Sequence, residues 1–125
     1  MRRTGSRLAA PALAVGVLTG CASGPIPTLL TVSDQQPQSV LIQYTSNLFG
    51  YGGKLWTTLP SGETFTGNYR LEPLDPSRQM TSTLNGNRGN TLVCRFTLTQ
   101  PGVGPDGGGT VQCGLSTGGT LEGRF

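Results

Sequence analysis

The sequence predicts an all-β domain, a small antiparallel barrel or curled sheet of six or seven strands. Glycine, threonine and turn signals recur about every ten residues, and no stretch sustains a helical periodicity. Several short stretches instead alternate apolar and polar residues, the pattern of a strand with one buried face. A closed or nearly closed barrel is favoured because it hides the edges that a flat sheet leaves open.

Two stretches carry the clearest alternation. Residues 39–45 place Val40 and Tyr44 on one face, and residues 90–99 place Cys94 and Phe96 on one face. The same criterion predicts four further strands at 55–59, 65–69, 111–115 and 121–125, and a candidate seventh at 79–84. A separate short edge strand at 28–32 would precede the β domain.

A segment of the sequence recurs. Residues 52–69, "GGKLWTTLPSGETFTGNY", align without a gap on residues 108–125, "GGTVQCGLSTGGTLEGRF", with six identities in eighteen positions. Duplication explains the match, and chance similarity between two glycine-rich hairpins is the alternative. With one strand upstream of each hairpin, we predict two three-stranded units, 39–70 and 90–125. Each unit has an inward glycine in its last strand, Gly67 or Gly123, which indicates a close approach of backbones.

The N-terminus has the features of an export signal. Three arginines lie in the first seven residues, an apolar stretch follows, and the stretch ends at Leu18-Thr19-Gly20-Cys21. This junction resembles the lipobox of bacterial lipoproteins. The resemblance implies removal of residues 1–20, acylation of Cys21 and, because Ala22 follows the cysteine, delivery to the outer membrane of a Gram-negative cell. We expect the domain at the periplasmic face, with the cell exterior as the alternative. We predict a flexible tether over 21–38 and the β domain over 39–125.

The two remaining cysteines, Cys94 and Cys113, are predicted to form a disulfide. In an oxidising periplasm an isolated cysteine pair usually does so. The pairing also fits the strands: with Cys94 opposite Cys113, Phe96 faces Val111 and all carry the same inward parity.

Charge and composition exclude several classes of function. The formal charge of +3 is accounted for by the three signal arginines, so no basic patch for nucleic acid remains. The sequence has no histidine, which excludes a Ser-His-Asp triad and leaves too few ligands for a closed zinc site. We expect no enzymatic activity and no cofactor.

Aromatic and turn residues are the candidate binding residues. Trp56 points outward by parity, and Phe49 and Tyr51 lie in a glycine-rich loop, where they either contact a partner or cover one end of the barrel. Glu63 follows a turn glycine and is expected at the solvated surface. Ser61-Gly62-Glu63-Thr64-Phe65 is similar to the inhibitory loop of the periplasmic C-type lysozyme inhibitors, which would give Ser61 and Glu63 a binding role.

The domain otherwise resembles small β lipoproteins of the bacterial envelope whose function is not established. We therefore expect a non-catalytic, lipid-anchored envelope protein with a structural or partner-binding β domain. Its expected partners are the membrane, through the anchor, and an envelope protein or a glycan. A periplasmic lysozyme inhibitor is the alternative.

Overall fold

Eight antiparallel strands make up most of the chain. The computed structural model describes residues 23–46, 52–72, 74 and 76–125. The strands are β1 Ser23–Thr31, β2 Gln38–Ser46, β3 Gly52–Thr58, β4 Thr64–Arg70, β5 Gln79–Gly86, β6 Thr91–Leu98, β7 Gly109–Leu115 and β8 Thr120–Arg124. Each strand pairs with the next, and β8 pairs with β1, which closes the sheet into a barrel. The predicted all-β barrel is confirmed, with eight strands rather than six or seven.

The additional strand is β1, which lies in the segment that we predicted to be a tether. The tether prediction is wrong for Ser23–Thr31, which pairs with β2 from Ser23 to Leu30. The short edge strand predicted at 28–32 covers only the second half of β1, and it is not an edge, because Thr28–Thr31 also pairs with β8. Two prolines argue against a central strand because proline cannot donate a hydrogen bond. Here Pro25 and Pro27 precede the stretch 28–31 that pairs with β8, so their missing N–H groups fall where β1 has one neighbour in the ladder.

The barrel interior is filled with apolar side chains. Alternate residues of every strand point inward, and the largest side chains that are fully buried include Phe65, Phe96, Ile42, Leu55 and Leu84. Side chains that fill a small eight-stranded barrel are the expected core of such a fold. The outward residues between them are mainly threonine, asparagine, glutamine and charged residues, so we place the functional surface on the outside of the barrel.

The second half of the barrel has the predicted strand register and disulfide. Cys94 lies opposite Cys113, Phe96 opposite Val111, and Leu98 opposite Gly109. Cys94 and Cys113 are bonded, and both are buried. The disulfide therefore joins neighbouring strands β6 and β7 inside the core.

The repeated hairpins have the same turn. In the first, the Leu59 N–H donates to the Glu63 carbonyl at 3.0 Å and the Gly62 N–H to the Leu59 carbonyl at 2.8 Å. In the second, Leu115 and Gly118 make the equivalent bonds at 2.9 Å. Gly62 and Gly118 have φ of 95° and 92°, the left-handed conformation that glycine adopts without strain. Because β1 and β5 also begin 56 residues apart, the correspondence between the two halves of the barrel covers four strands, whereas we predicted units of three.

The two ends of the barrel differ. One, the turn end, carries the four short connections at residues 32–37, 59–63, 87–90 and 116–119. The other, the loop end, carries the start of β1 and the connections that follow Ser46, Arg70 and Leu98. At the loop end the 3₁₀ turn Gly104–Gly107 buries Gly104 and Pro105.

Candidate functional site

The structure separates the residues that we predicted to bind a partner. Trp56 lies on the outer wall, as its parity predicts, and its side chain is 36% exposed. Ser61 is exposed in the β3–β4 turn, whereas Glu63 in the same turn is only 4% exposed. Cys21, Phe49 and Tyr51 lie outside the described residues. Trp56 therefore lies on the outer wall, whereas Ser61 and Glu63 lie at the turn end.

The expectation that Glu63 is solvated is wrong, because its carboxylate holds two turns together. Oε2 accepts the backbone N–H groups of Arg88 at 3.0 Å and of Asn90 at 3.2 Å. Oε1 accepts the Asn90 side-chain amide at 2.7 Å. The Arg88 guanidinium in turn donates to the Ser61 carbonyl at 2.8 Å. The β3–β4 turn is thereby clamped to the β5–β6 turn.

The surroundings of Glu63 favour its charged form. The Asn90 side-chain hydrogen bond, two backbone donors and the charge of Arg88 lower the pKa of Glu63, while burial opposes them. Gly86 leaves the space for this carboxylate, since a Cβ there would lie 2.1 Å from Oε2. Sequence reasoning missed the clamp because its donors are 25 and 27 residues from Glu63 along the chain.

A shallow pocket of about 560 Å³ opens at the turn end. Its apolar lining includes Leu30, Leu59 and Leu115, and Arg88 lines its polar side. The Glu63 oxygens already accept three hydrogen bonds and the Arg88 guanidinium is also occupied, so these groups primarily stabilise the turns.

The motif shared with lysozyme inhibitors is largely internal in this barrel. Phe65 is fully buried in the core, and the Glu63 carboxylate is satisfied by the neighbouring turn. Of the two residues to which the resemblance assigns a binding role, only Ser61 is exposed. No contact in the described residues favours this alternative.

The outer wall has a groove of about 770 Å³ along the seam between β4 and β5. We call it the Trp56 groove, and define it by the outward side chains Lys54, Trp56, Thr66, Asn68, Thr83 and Asn85 that line it. The seam has a ladder of two residue pairs, Phe65 with Gly86 and Thr66 with Asn85. Beyond them, the Ser82 hydroxyl donates to the Asn68 carbonyl at 2.5 Å.

Gly67 sets the shape of the seam. A Cβ at Gly67 would lie 2.6 Å from the Thr83 carbonyl oxygen and 3.1 Å from the Leu84 Cα, so any side chain would push β5 away. Outward parity on β3 and β4 identifies Trp56, Thr66 and Asn68 from sequence. These side chains lie near Asn85 because of the β4–β5 register, which no sequence pattern predicts.

A second seam, between β8 and β1, has a groove of about 540 Å³ at the equivalent place. We call it the Gln112 groove, lined by Leu29, Thr31, Thr110, Gln112, Glu122 and Arg124 among others. With the 56-residue offset, Gln112 takes the place of Trp56, Glu122 that of Thr66, and Arg124 that of Asn68. The two grooves share a strand register, since Thr66 faces Asn85 as Glu122 faces Leu29. They differ in the length of the ladder, two residue pairs against four, and in their side chains.

Polar groups at the loop end are also internally satisfied. The buried Tyr44 donates its hydroxyl to Asp106 of the 3₁₀ turn, and Tyr69 donates to the Thr45 carbonyl at 3.0 Å. Burial, followed by the Asp106 interaction, raises the pKa of Tyr44 well above its ordinary value, and burial also raises the pKa of Tyr69. Both tyrosines remain neutral at physiological pH and close this end of the core.

The described ranges contain neither a metal site nor a membrane-spanning helix. No group of three or more His, Cys, Asp or Glu side chains there could hold a metal ion. No helix in that part of the chain is long and apolar enough to cross a membrane.

Comparison with known proteins adds no assignment to these surfaces. No family model, no curated protein and no solved structure matches the chain.

Proposed function

We propose that this protein is a non-catalytic, lipid-anchored protein of the bacterial outer membrane that presents a rigid, partner-binding β-barrel at the periplasmic face. The observation that supports this most is the position of β1, whose first residue, Ser23, is two residues after the lipobox cysteine, Cys21. Two residues span at most about 7 Å. An acylated Cys21 would therefore hold the loop end of the barrel at the headgroups.

The surface of the loop end suits that position. Leu74 is 96% exposed and Val103 is 50% exposed, and both lie in connections at this end. Arg70, Arg78 and Arg124 adjoin the strand ends here, although Arg70 is paired with the exposed Glu72 at 3.6 Å. Apolar side chains beside cations are the combination that contacts an anionic membrane surface.

The anchor is tested by mass spectrometry and membrane fractionation of the full chain expressed in a Gram-negative host. We expect a mature N-terminus at Cys21 with the added mass of acyl chains, and recovery in the outer-membrane fraction. Cys21→Ser should abolish acylation and release the protein from membranes. An intact N-terminus, or cleavage elsewhere without acyl mass, would contradict the proposal.

The orientation is tested separately on the acylated protein in vesicles of phosphatidylethanolamine and phosphatidylglycerol. A fluorophore on Leu74→Cys, at the loop end, should be quenched by lipids brominated near the headgroup. The matched fluorophore on Thr117→Cys, in a turn-end connection, should not be quenched. Equal quenching at both sites would leave the anchor in place and refute the orientation.

A further inference from the structure

We propose that the Trp56 groove is a glycan-binding site for pyranose oligosaccharides. This inference goes beyond the lipid anchor and does not depend on it. Trp56 lies within β3, opposite Gln43 of β2 and Thr66 of β4. Strand pairing on both sides fixes the backbone of Trp56, and the residue is 36% exposed. On such a backbone, an aromatic side chain with two rotatable bonds offers a flat apolar surface at little cost in side-chain entropy.

The polar lining of the groove suits sugars better than an apolar peptide. A pyranose has an apolar face of C–H groups, which packs on an aromatic ring, and a rim of hydroxyl groups that both donate and accept hydrogen bonds. The side-chain amides of Asn68 and Asn85 also donate and accept, as do the hydroxyls of Thr66 and Thr83. All four side chains are exposed. Trp56 is the one large apolar side chain exposed among the residues that line the groove.

The size and charge of the groove narrow the ligand further. A volume of about 770 Å³ lies within the usual range of roughly 300–1,000 Å³ for small-molecule sites, and accommodates a few sugar units. Lys54 is exposed at the edge of the groove, and the lining contains no carboxylate. The electrostatics therefore tolerate neutral sugars and favour those that carry a carboxylate.

The Gln112 groove provides an internal comparison. It has the same strand register but has Gln112 in place of the ring, with the charged Glu122 and Arg124 in place of Thr66 and Asn68. If the strand register alone bound glycans, both grooves would bind. We assign the site to the Trp56 groove because the aromatic ring occurs there, together with two asparagine amides.

Binding in the Trp56 groove can be followed by tryptophan fluorescence, because Trp56 is the single tryptophan of the sequence. The full chain, purified in detergent, is titrated with tetraacetylchitotetraose, which is neutral, and with tetragalacturonate, which is acidic. We expect a saturable change in Trp56 emission with at least one of them. No saturable change up to about 10 mM of either sugar, a concentration that half-fills a site with a Kd of about 10 mM, would overturn the proposal.

Variants measured by calorimetry locate the binding. Trp56→Ala should raise Kd at least about tenfold, as expected for a central aromatic contact, and Asn68→Ala should also raise Kd. Gln112→Ala, the equivalent change in the other groove, should leave Kd within about twofold. Each variant is first checked for an unchanged unfolding transition. Equal losses in Trp56→Ala and Gln112→Ala, or none in Trp56→Ala, would overturn the assignment.

Lys54→Gln tests the preference for acidic sugars. It should raise Kd for tetragalacturonate by about threefold, in line with an exposed ion pair, and leave Kd for the neutral sugar unchanged. The effect should also weaken as salt is added. Equal effects on both sugars would refute an electrostatic role for Lys54.

Discussion

The two halves of the barrel, β1–β4 and β5–β8, have the same arrangement of strands but differ in their side-chain interactions. Strands β1, β3 and β4 correspond to β5, β7 and β8 at an offset of 56 residues. Strand β2 corresponds to β6 at an offset of 52, since Tyr44 faces Gly24 as Phe96 faces Met80. The offset differs because the first hairpin is four residues longer, since Gly24 and Tyr44 are 20 residues apart whereas Met80 and Phe96 are 16 apart.

What the halves share is the part that makes the barrel. Both have the turn glycine with positive φ, Gly62 or Gly118, and both have an inward glycine where the next strand approaches, Gly67 or Gly123. What they do not share adds stability or a surface feature at different places. The disulfide lies within the second half, and Trp56 lies in the first. The Glu63 clamp joins a turn of the first half to a turn of the second. Each half thus contains the glycines that the barrel requires, and the halves differ in the disulfide, the Glu63 clamp and Trp56.

The largest difference between the halves is the disulfide, and it can be exchanged for the pair used in the first half. Ile42 and Thr57 stand at the positions of Cys94 and Cys113, and the Thr57 hydroxyl donates to the Leu41 carbonyl at 2.7 Å. Cys94→Ile with Cys113→Thr removes a covalent link across 19 residues. We expect the free energy of unfolding to fall by about 3 kcal/mol, measured by urea denaturation.

The converse variant, Ile42→Cys with Thr57→Cys, should raise the free energy of unfolding by about 2–3 kcal/mol once oxidised. Reduction provides the control, because it should return both the converse variant and the natural protein to lower stability. If the natural protein unfolds at the same urea concentration with and without a reductant, the disulfide is not a main source of stability.

Substitution of the inward glycine should destabilise the barrel to a similar extent in both halves. A Cβ at Gly67 would lie 2.6 Å from the Thr83 carbonyl oxygen, and one at Gly123 would lie 2.1 Å from the Pro27 carbonyl oxygen. Either substitution by alanine forces two strands apart, and we expect a loss of about 1–3 kcal/mol in urea denaturation.

Gly114→Ala is the matched control, because no atom lies within 4 Å of its added Cβ and the residue is exposed on β7. It should change stability by less than about 1 kcal/mol, with a gain possible through lower entropy of the unfolded chain. A loss at Gly114 equal to that at Gly67 would mean that flexibility, not close approach, explains these glycines.

The Glu63 clamp, which joins a turn of each half, makes the stability of the barrel sensitive to acid. Because the pKa of Glu63 is lowered in the folded state, the carboxylate stabilises the fold above its ordinary pKa near 4.5, and this stabilisation is lost as pH falls through the folded pKa. The melting temperature of the natural protein should therefore drop below about pH 4.5. Glu63→Gln should melt lower at neutral pH and show a shallower acid decline.

The control is Glu122→Gln, which removes one carboxylate from the exposed outer wall. It should leave the melting temperature at neutral pH nearly unchanged. An equal fall in both variants would show that net charge, not the hydrogen bonds to Arg88 and Asn90, underlies the effect.

The sequence predicted those elements whose determinants are local. Alternation and turn glycines gave both repeated hairpins, and parity gave the Cys94–Cys113 register. It also predicted a close approach at Gly67 and Gly123. β1 was largely missed because Pro25 and Pro27 resemble linker residues until the one-sided ladder around them is known.

The candidate site was less accessible to sequence reasoning. Trp56 was identified by its parity, but Asn85 joins its groove through a pairing of β4 and β5 that no local pattern encodes. Glu63 was misjudged for the same reason, since a carboxylate after a turn is ordinarily solvated and its partners here belong to another turn. Long-range register, more than local structure, decides which polar side chains meet.

The smallest expected effect on stability concerns Trp56 itself, exchanged for its counterpart in the other half. Trp56→Gln gives the first groove the residue of the second, at a partly exposed position outside the core. We expect the free energy of unfolding to change by less than about 1 kcal/mol in urea denaturation. A larger loss would mean that the ring is part of the structure, as a cover for the β4–β5 seam. A small loss would leave ligand binding as the reason for an exposed tryptophan where the duplicate half has glutamine.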